Sequence, residues 1–311
     1  MTPVPAQQSL SPRAWGLLIF LALVWGGSYL SNRIALEQVP VFTTVAFRVA
    51  GASIALWLWV LARRLPLPAP AMALRFLGMG ILNNVIPFTL IVWGQQHIAS
   101  GLAAILNAST AVFTVLLAAL IFADERLTLR KGLGVLIGFA GVTVVVGPSV
   151  LATFDIGSVG QLAMIGAALS YALSSIYARI VLKGLRPEVQ AAGMLTAAAL
   201  VTVPLALWSD GMPALNYSTP GWAALAYLAL ASSALAYIVF YRVLALAGAG
   251  NLQLVTLLVG PVAVALGAIF YREALQPNEY AGFAVIALGL MVIDGRPRRF
   301  FAKERPATES P

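Results

Sequence analysis

Hydrophobic residues form long uncharged runs along almost the whole chain, and only short polar segments separate them. Most runs have the ~20 residues that a helix needs to cross the hydrocarbon core of a bilayer. They lack the strict alternation of membrane-barrel strands, so they predict ten membrane helices. The runs are Ala14–Asn32, Thr43–Ala62 (which contains Arg48), Phe76–Gln96, Ile98–Ala123, Gly132–Phe154, Ile156–Ala178, Val189–Ser209, Gly211–Tyr241, Val243–Tyr271 and the shortest, Tyr280–Ile293.

The second half of the chain repeats the first half. A shift of 146 residues places Arg33 on Arg179, and a shift of 148 places residues 121–127 on residues 269–275. Apolar helices resemble one another by chance, but here a charged residue and two glycines keep the same register. The other matched pairs are Trp25 with Tyr171, Gly134 with Gly282, and Gly141 with Gly289.

A repeat of five helices has an odd number of crossings, so its second copy enters the membrane from the opposite side. Inverted repeats of this kind are typical of secondary transporters. We expect an all-α polytopic membrane protein with two inverted five-helix repeats around a central cavity. The first repeat is predicted at 1–147 and the second at 159–294, followed by a basic tail at 295–311.

The distribution of charge predicts the orientation of these helices. Hydrophobic residues make up 60% of the chain and charged residues 10%, against about 25% charged in a soluble domain. With ten crossings, 16 of the 19 Lys and Arg residues fall on one side of the membrane. Because basic loops stay in the cytoplasm, both termini are predicted to be cytoplasmic, in a multi-pass protein of the cell membrane. The net charge of +8 then reflects topology and contact with anionic lipids rather than nucleic acid.

Three short motifs resemble a known family. Residues 25–29 (WGGSY), the Phe47-Arg48 pair and residues 124–127 (DERL), followed by a glycine-rich helix, are similar to the EamA type of the drug/metabolite transporter superfamily. The resemblance extends over roughly residues 12–294. It implies a ten-helix fold of two inverted repeats and the export of small metabolites. The chain looks most similar to amino-acid exporters of this type, including those for aromatic amino acids.

Polar residues share faces on matched helices, which predicts where the cavity lies. Polar groups inside a membrane tend to face the protein interior or a water-filled cavity, and residues three or four apart share a helix face. Helices one, three, four, six, eight and nine carry such faces; the other four are predicted to face lipid or brace the bundle. The candidate substrate-binding residues are Trp25, Tyr29, Asn83, Asn84, Asn107, Thr110, Ser174, Tyr177, Tyr237, Tyr241, Gln253 and Thr256.

Two alternatives stand beside this interpretation. Hydroxyl and small residues often serve only to pack membrane helices together, and this applies to each Ser and Thr above. Pro87 and Pro261 lie inside predicted helices, where a proline removes a backbone donor and kinks the helix. The kinks are candidates for gating, although static bends explain them equally well.

The charged residues limit the chemistry of the cavity. No acidic residue falls at the centre of a predicted helix, and the single histidine, His97, falls at a helix end. A buried proton relay is therefore not evident, and both proton-coupled and facilitated transport stay open. Arg48 lies well within a helix, where it snorkels to the surface, holds neighbouring helices or binds a substrate carboxylate. The candidate faces consist of amides, hydroxyls and aromatic rings, and they predict a cavity without fixed charge, suited to neutral or zwitterionic solutes.

These observations favour a secondary transporter that exports small metabolites, principally amino acids, by alternating access. The chain has no cysteine, no H-E-x-x-H motif and no nucleotide-binding glycine loop. We therefore expect no catalysis, no metal or cofactor, and no ATP-binding partner; membrane lipid is the expected environment, and an oligomer is not required. The alternatives are a carrier for another metabolite or drug class, a channel, or a non-catalytic membrane scaffold.

Overall fold

The computed structural model describes residues 10–94, 96–98, 100–147, 152, 154–155, 157–271 and 276–294. All the regular secondary structure within these ranges is helical. The long helices are α1 (Pro12–Leu36), α2 (Val41–Ala62), α3 (Pro70–Gly94), α4 (Ser100–Ile121), α5 (Leu129–Val146), α6 (Val159–Val181), α7 (Pro187–Ser209), α8 (Thr219–Ala247), α9 (Val255–Tyr271) and α10 (Pro277–Asp294).

Most of these helices have the length and apolar character needed to cross a membrane. In the described part of the chain, seven spans meet both criteria: α1, α2, α3, α6, α7, α8 and Ala249–Leu266, which joins a short helical turn to the start of α9. Two shorter apolar helices, Ile105–Ile121 and Pro277–Ile293, lie within α4 and α10. The protein is thus an all-α polytopic membrane protein, as the hydrophobic runs predict.

The contacts between helices are related by an exchange of the two halves. Among the contacts between the repeats, α5 joins α10, α2 joins α7, α4 joins α6 and α1 joins α9. The counterparts of α1–α5 in the second repeat are α6–α10. When each helix is replaced by its counterpart, the pairs α5–α10 and α2–α7 map onto themselves, and the pairs α4–α6 and α1–α9 map onto each other. A pseudo-two-fold arrangement requires this pattern, because the same surfaces meet on both sides of the axis. Two inverted five-helix repeats therefore pack face to face.

Glycines bring α5 and α10 into close contact. A Cβ atom on Gly141 would lie 2.7 Å from the backbone nitrogen of Ile286, and one on Gly289 would lie 2.6 Å from that of Gly138. No side chain fits between backbones at these distances. The glycines thus allow close helix packing, as small residues do in membrane interfaces.

Hydroxyl and carboxylate side chains cap the helices. Ser11, Thr128 and Ser218 accept the backbone N–H three residues further on, at 3.1, 3.2 and 3.3 Å. The carboxylate of Asp210, at the end of α7, accepts both the backbone N–H and the hydroxyl of Thr43, at 2.7 and 2.9 Å. Free N–H groups at the start of a helix need acceptors, and Asp210 supplies one to the first turn of α2. Because Asp210 follows α7, the same contact ties α2 to α7.

Candidate substrate cavity

A cavity of ≈ 830 Å³ empty volume lies between the two repeats. Helices of both halves supply the wall, and α1, α2, α3, α4, α6, α8 and α9 all contribute. The lining residues are Trp25, Ser28, Tyr29, Asn32, Thr44, Val45, Arg48, Asn83, Phe88, Ile91, Val92, Asn107, Tyr171, Tyr237, Phe240, Gln253, Thr256 and Val259.

The structure brings seven of the twelve candidate residues to the cavity wall. They are Trp25, Tyr29, Asn83, Asn107, Tyr237, Gln253 and Thr256.

Two further candidates lie directly behind the wall and hold lining residues in place. The amide nitrogen of Asn84 donates to the Tyr237 hydroxyl at 3.0 Å. The hydroxyl of Ser174 donates to the side-chain oxygen of Asn83 at 2.7 Å. Both supporting residues are fully buried. They fix the positions of an amide and a phenol that face the cavity.

The remaining three candidates do not line the cavity either. The Thr110 hydroxyl donates to the backbone oxygen of Asn107, one turn earlier in α4, at 2.7 Å. The Tyr241 hydroxyl contacts the Met194 sulfur at 3.1 Å, and Tyr241 is fully buried. The half-buried Tyr177 packs against α3. These three side chains pack helices together, which is the alternative to substrate contact that the sequence leaves open for hydroxyl residues.

The polar wall residues of α3 and α8 lie on or beside π-helical segments. Residues Ile81–Val85 of α3 and Tyr227–Leu235 of α8 form wider turns with i→i+5 hydrogen bonds, and they occupy matched positions in the two repeats. Such turns are rare and occur frequently at functional sites. In them, the backbone oxygens of Leu82 and Ser232 accept side-chain hydrogen bonds from α6 and α1, at 2.7 and 3.1 Å. Sequence periodicity does not reveal these segments, because it assumes 3.6 residues per turn.

Arg48 introduces a fixed charge into the cavity wall. Its Nε donates to the Ser233 hydroxyl at 2.9 Å, its Nη2 donates to the Ser232 hydroxyl at 3.1 Å, and its guanidinium lies 4.0 Å from the centre of the Phe88 ring. The expectation of a cavity without fixed charge is therefore wrong. Arg48 does not snorkel to the surface; it connects α2 to α8.

Helix α2 also differs from its prediction. It was expected to face lipid or brace the bundle, but Thr44, Val45 and Arg48 line the cavity. Tyr171 of α6 was missed as well, although the repeat offset places it on Trp25, and both rings line the cavity. The offset was the signal that would have found it.

The two prolines are buried inside the bundle. Pro87 lies in α3 just after its π-helical segment, and Pro261 lies inside α9. Their part in gating stays a prediction.

His97 is exposed, stacks on Trp93 with ring centres 4.2 Å apart, and is not a lining residue.

A buried ionic cluster joins the repeats at the end of the bundle that carries the basic loops. The Glu125 side chain is completely buried and accepts the backbone N–H groups of Ala249 and Gly250, each at 2.7 Å. Arg179 donates to both Asp124 and Glu125. The turn between α4 and α5 is thereby fixed to α6 and to the short helical turn before α9.

Comparison with known proteins places the chain in a family. The model of the EamA-like transporter family matches it twice, over residues 13–147 and 158–294. The chain belongs to the EamA-like transporter family. A member of this family is an integral membrane protein with a small-molecule substrate, and the membership favours a transporter over an enzyme.

Several relatives match over nearly their full length. The uncharacterized transporter YvbV of Bacillus subtilis strain 168 is 22% identical over 91% of this chain and 92% of its own. The probable terminal-alkyne amino-acid exporter of Streptantibioticus cattleyicolor is 27% identical over 96% of this chain and 98% of its own. The uncharacterized inner membrane transporter YedA of Escherichia coli K12 is 26% identical over 90% of each chain.

A solved crystal structure shares the fold of this family member. It superposes with a TM-score of 0.76 at 19% sequence identity, covering 94% of this chain and 99% of the other. At this identity the likeness shows the fold alone.

Proposed function

We propose that this EamA-like protein is a secondary transporter that exports small neutral or zwitterionic metabolites, with amino acids as its principal substrate class. The observation that carries the proposal is the cavity between the two repeats, whose wall combines aromatic rings, amides, hydroxyls and one arginine. Aromatic and aliphatic side chains suit the apolar body of a solute, and polar side chains fix its orientation. The relative named as an amino-acid exporter supports this substrate class.

The mechanism in this proposal is alternating access. The units that move are the two predicted repeats, at 1–147 and 159–294, which rock about the cavity and expose it to each side in turn. The basic loops lie in the cytoplasm, together with both termini and the tail at 295–311. The Glu125 cluster lies at this cytoplasmic end, so its contacts must separate when the cavity opens inward.

Transport by purified protein in liposomes tests the proposal. A screen of the twenty amino acids should find solutes with saturable uptake that unlabelled solute accelerates by counterflow. Fast, non-saturating flux would instead identify a channel, and absence of flux for every amino acid would overturn the proposed substrate class.

Variants of the wall test the location of the site. Asn84→Ala and Tyr237→Ala should each reduce transport, because the Asn84 amide holds the Tyr237 hydroxyl at the cavity. Tyr280→Ala is the matched control, since 61% of Tyr280 is exposed on the outer surface of α10. If both cavity variants transport as well as the control, the cavity assignment is wrong.

A further inference from the structure

Arg48 is a buried cation that faces the cavity with part of its guanidinium unbonded. Only 8% of the residue is exposed, and it is among the lining residues. Nε and Nη2 bond to the two serines of α8, whereas Nη1 donates to no residue in the described part of the chain. A guanidinium presents its donors as a planar fork that matches a carboxylate. The Nη1 edge is therefore left to bond a carboxylate in the cavity.

No described carboxylate neutralises this charge. The ion pairs of the described residues involve Asp124, Glu125 and Glu188, and Arg48 takes part in none of them. The ionisable side chains that interact with Arg48 electrostatically are tyrosines: Tyr29, Tyr171, Tyr227 and Tyr237. Tyrosines are neutral near pH 7, since their usual pKa is about 10. Among the described residues, hydroxyls, a carbonyl and the Phe88 ring are what compensates the charge.

A buried charge of this kind is unfavourable unless something pairs with it. A purely structural link between α2 and α8 would need only hydrogen bonds, which a neutral side chain provides without the cost of burying a charge. An anion in the cavity supplies the missing partner. The Arg48 site thus favours solutes with a negative group.

Asn107 supplies a second unpaired group in the same wall. Its side-chain oxygen is buried without a hydrogen-bond partner among the described residues, and the residue is 8% exposed. An unpaired buried acceptor costs about 1–3 kcal/mol, and a donor from the solute would satisfy it. An ammonium group has three such donors and no acceptor.

We propose that Arg48 is a carboxylate-binding residue of the cavity and that Asn107 receives the ammonium group of the same solute. This inference rests on the proposed function and deepens it: a free carboxylate is required for binding, whereas the apolar body is selected less strictly. The rings of Trp25 and Phe240 belong to the same cavity wall and offer an apolar surface for the side chain of the solute.

Binding is measured by calorimetry on the detergent-purified full chain, with three probes. L-Phenylalanine carries both charges, L-phenylalaninamide lacks the carboxylate, and 3-phenylpropanoate lacks the ammonium group. A hydrogen bond to a charged group contributes about 1.5–3 kcal/mol, which corresponds to roughly 10- to 150-fold in affinity. We expect the amide to bind at least ~10-fold more weakly than phenylalanine. Equal affinity for these two probes would overturn the proposal without any variant.

Three variants separate a binding role from a structural one. Arg48→Gln should lower the affinity for phenylalanine and 3-phenylpropanoate while leaving that for the amide unchanged, and Arg48→Lys should keep part of the preference for a carboxylate. Asn107→Leu should weaken binding of phenylalanine and the amide but not of 3-phenylpropanoate. If Arg48→Gln weakens all three probes equally, Arg48 only holds helices together and the proposal fails.

The outcomes also distinguish this inference from the proposed function. Binding with the expected preference but without counterflow would leave the carboxylate site standing and overturn transport. If L-phenylalaninamide inhibits the counterflow of phenylalanine as strongly as unlabelled phenylalanine does, transport stands and the carboxylate site is overturned. Absence of binding for all twenty amino acids would overturn both.

Discussion

Replacing Glu125 by glutamine tests how much the buried ionic cluster contributes to stability. The substitution keeps the shape of the side chain but removes its charge and one of its two acceptor oxygens. In the native cluster these oxygens receive two backbone N–H groups at 2.7 Å, the Arg179 guanidinium, and the Lys131 ammonium at 3.7 Å. Glutamine cannot satisfy all four donors, because its NH₂ group is itself a donor.

The burial of the cluster determines how much unfolding free energy the Glu125→Gln variant should lose. The Glu125 side chain is completely buried and that of Lys131 is 6% exposed, so the lysine charge would be left without its main partner and away from water. Removing one member of a buried ion pair costs about 3–5 kcal/mol. Arg179 keeps its bond to Asp124, which limits the loss. We therefore expect Glu125→Gln to lower the free energy of unfolding by about 3 kcal/mol, near the lower end of that range.

Glu188→Gln is the matched control. Glu188 pairs with Arg242 at 3.0 Å; its own side chain is only 10% exposed, but 47% of the Arg242 side chain is exposed, so the arginine charge keeps its contact with water when the carboxylate charge is removed. Exposed ion pairs contribute only about 0–1 kcal/mol, so this variant should be close to wild type. The free energy of unfolding is measured by titration with SDS in mixed micelles, followed by tryptophan fluorescence. Equal losses in the two variants would refute the argument from burial.

Three further predictions concern packing, capping and topology. Gly141→Ala should destabilise the fold by about 1–3 kcal/mol, because the new Cβ would overlap α10. Gly16→Ala is the control and should have no such effect, since no atom lies within 4 Å of its new Cβ. Thermal unfolding in detergent compares the two variants. Asp210→Ala should cost about 0.5–2 kcal/mol, because it removes the cap of α2, and the same SDS titration measures it. Single cysteines at Asp155 and Lys183, in a chain without native cysteine, should react with impermeant reagents from opposite sides; labelling from the same side would contradict the inverted repeat.

The candidate site was only partly predictable from the sequence. Trp25 and Tyr237 were found because polar and aromatic residues at helical spacing share a face, and both line the cavity. Thr110 followed the same rule, but its hydroxyl bonds to its own helix. Periodicity gives the relative angles of residues around one helix, and it does not say which neighbouring helix each face meets.

The membrane fold, the ten long helices of the described residues and the duplication could be predicted from the sequence alone. Hydropathy is a property of each segment by itself, and a bilayer sorts segments by that property. The position of Arg48 could not be determined in this way, because its partner Ser233 lies 185 residues further along the chain. Only the packing of α2 against the π-helical segment of α8 places the guanidinium at the cavity. Contacts between distant segments depend on how whole helices fit together, and the tertiary structure therefore decided the charge of the site.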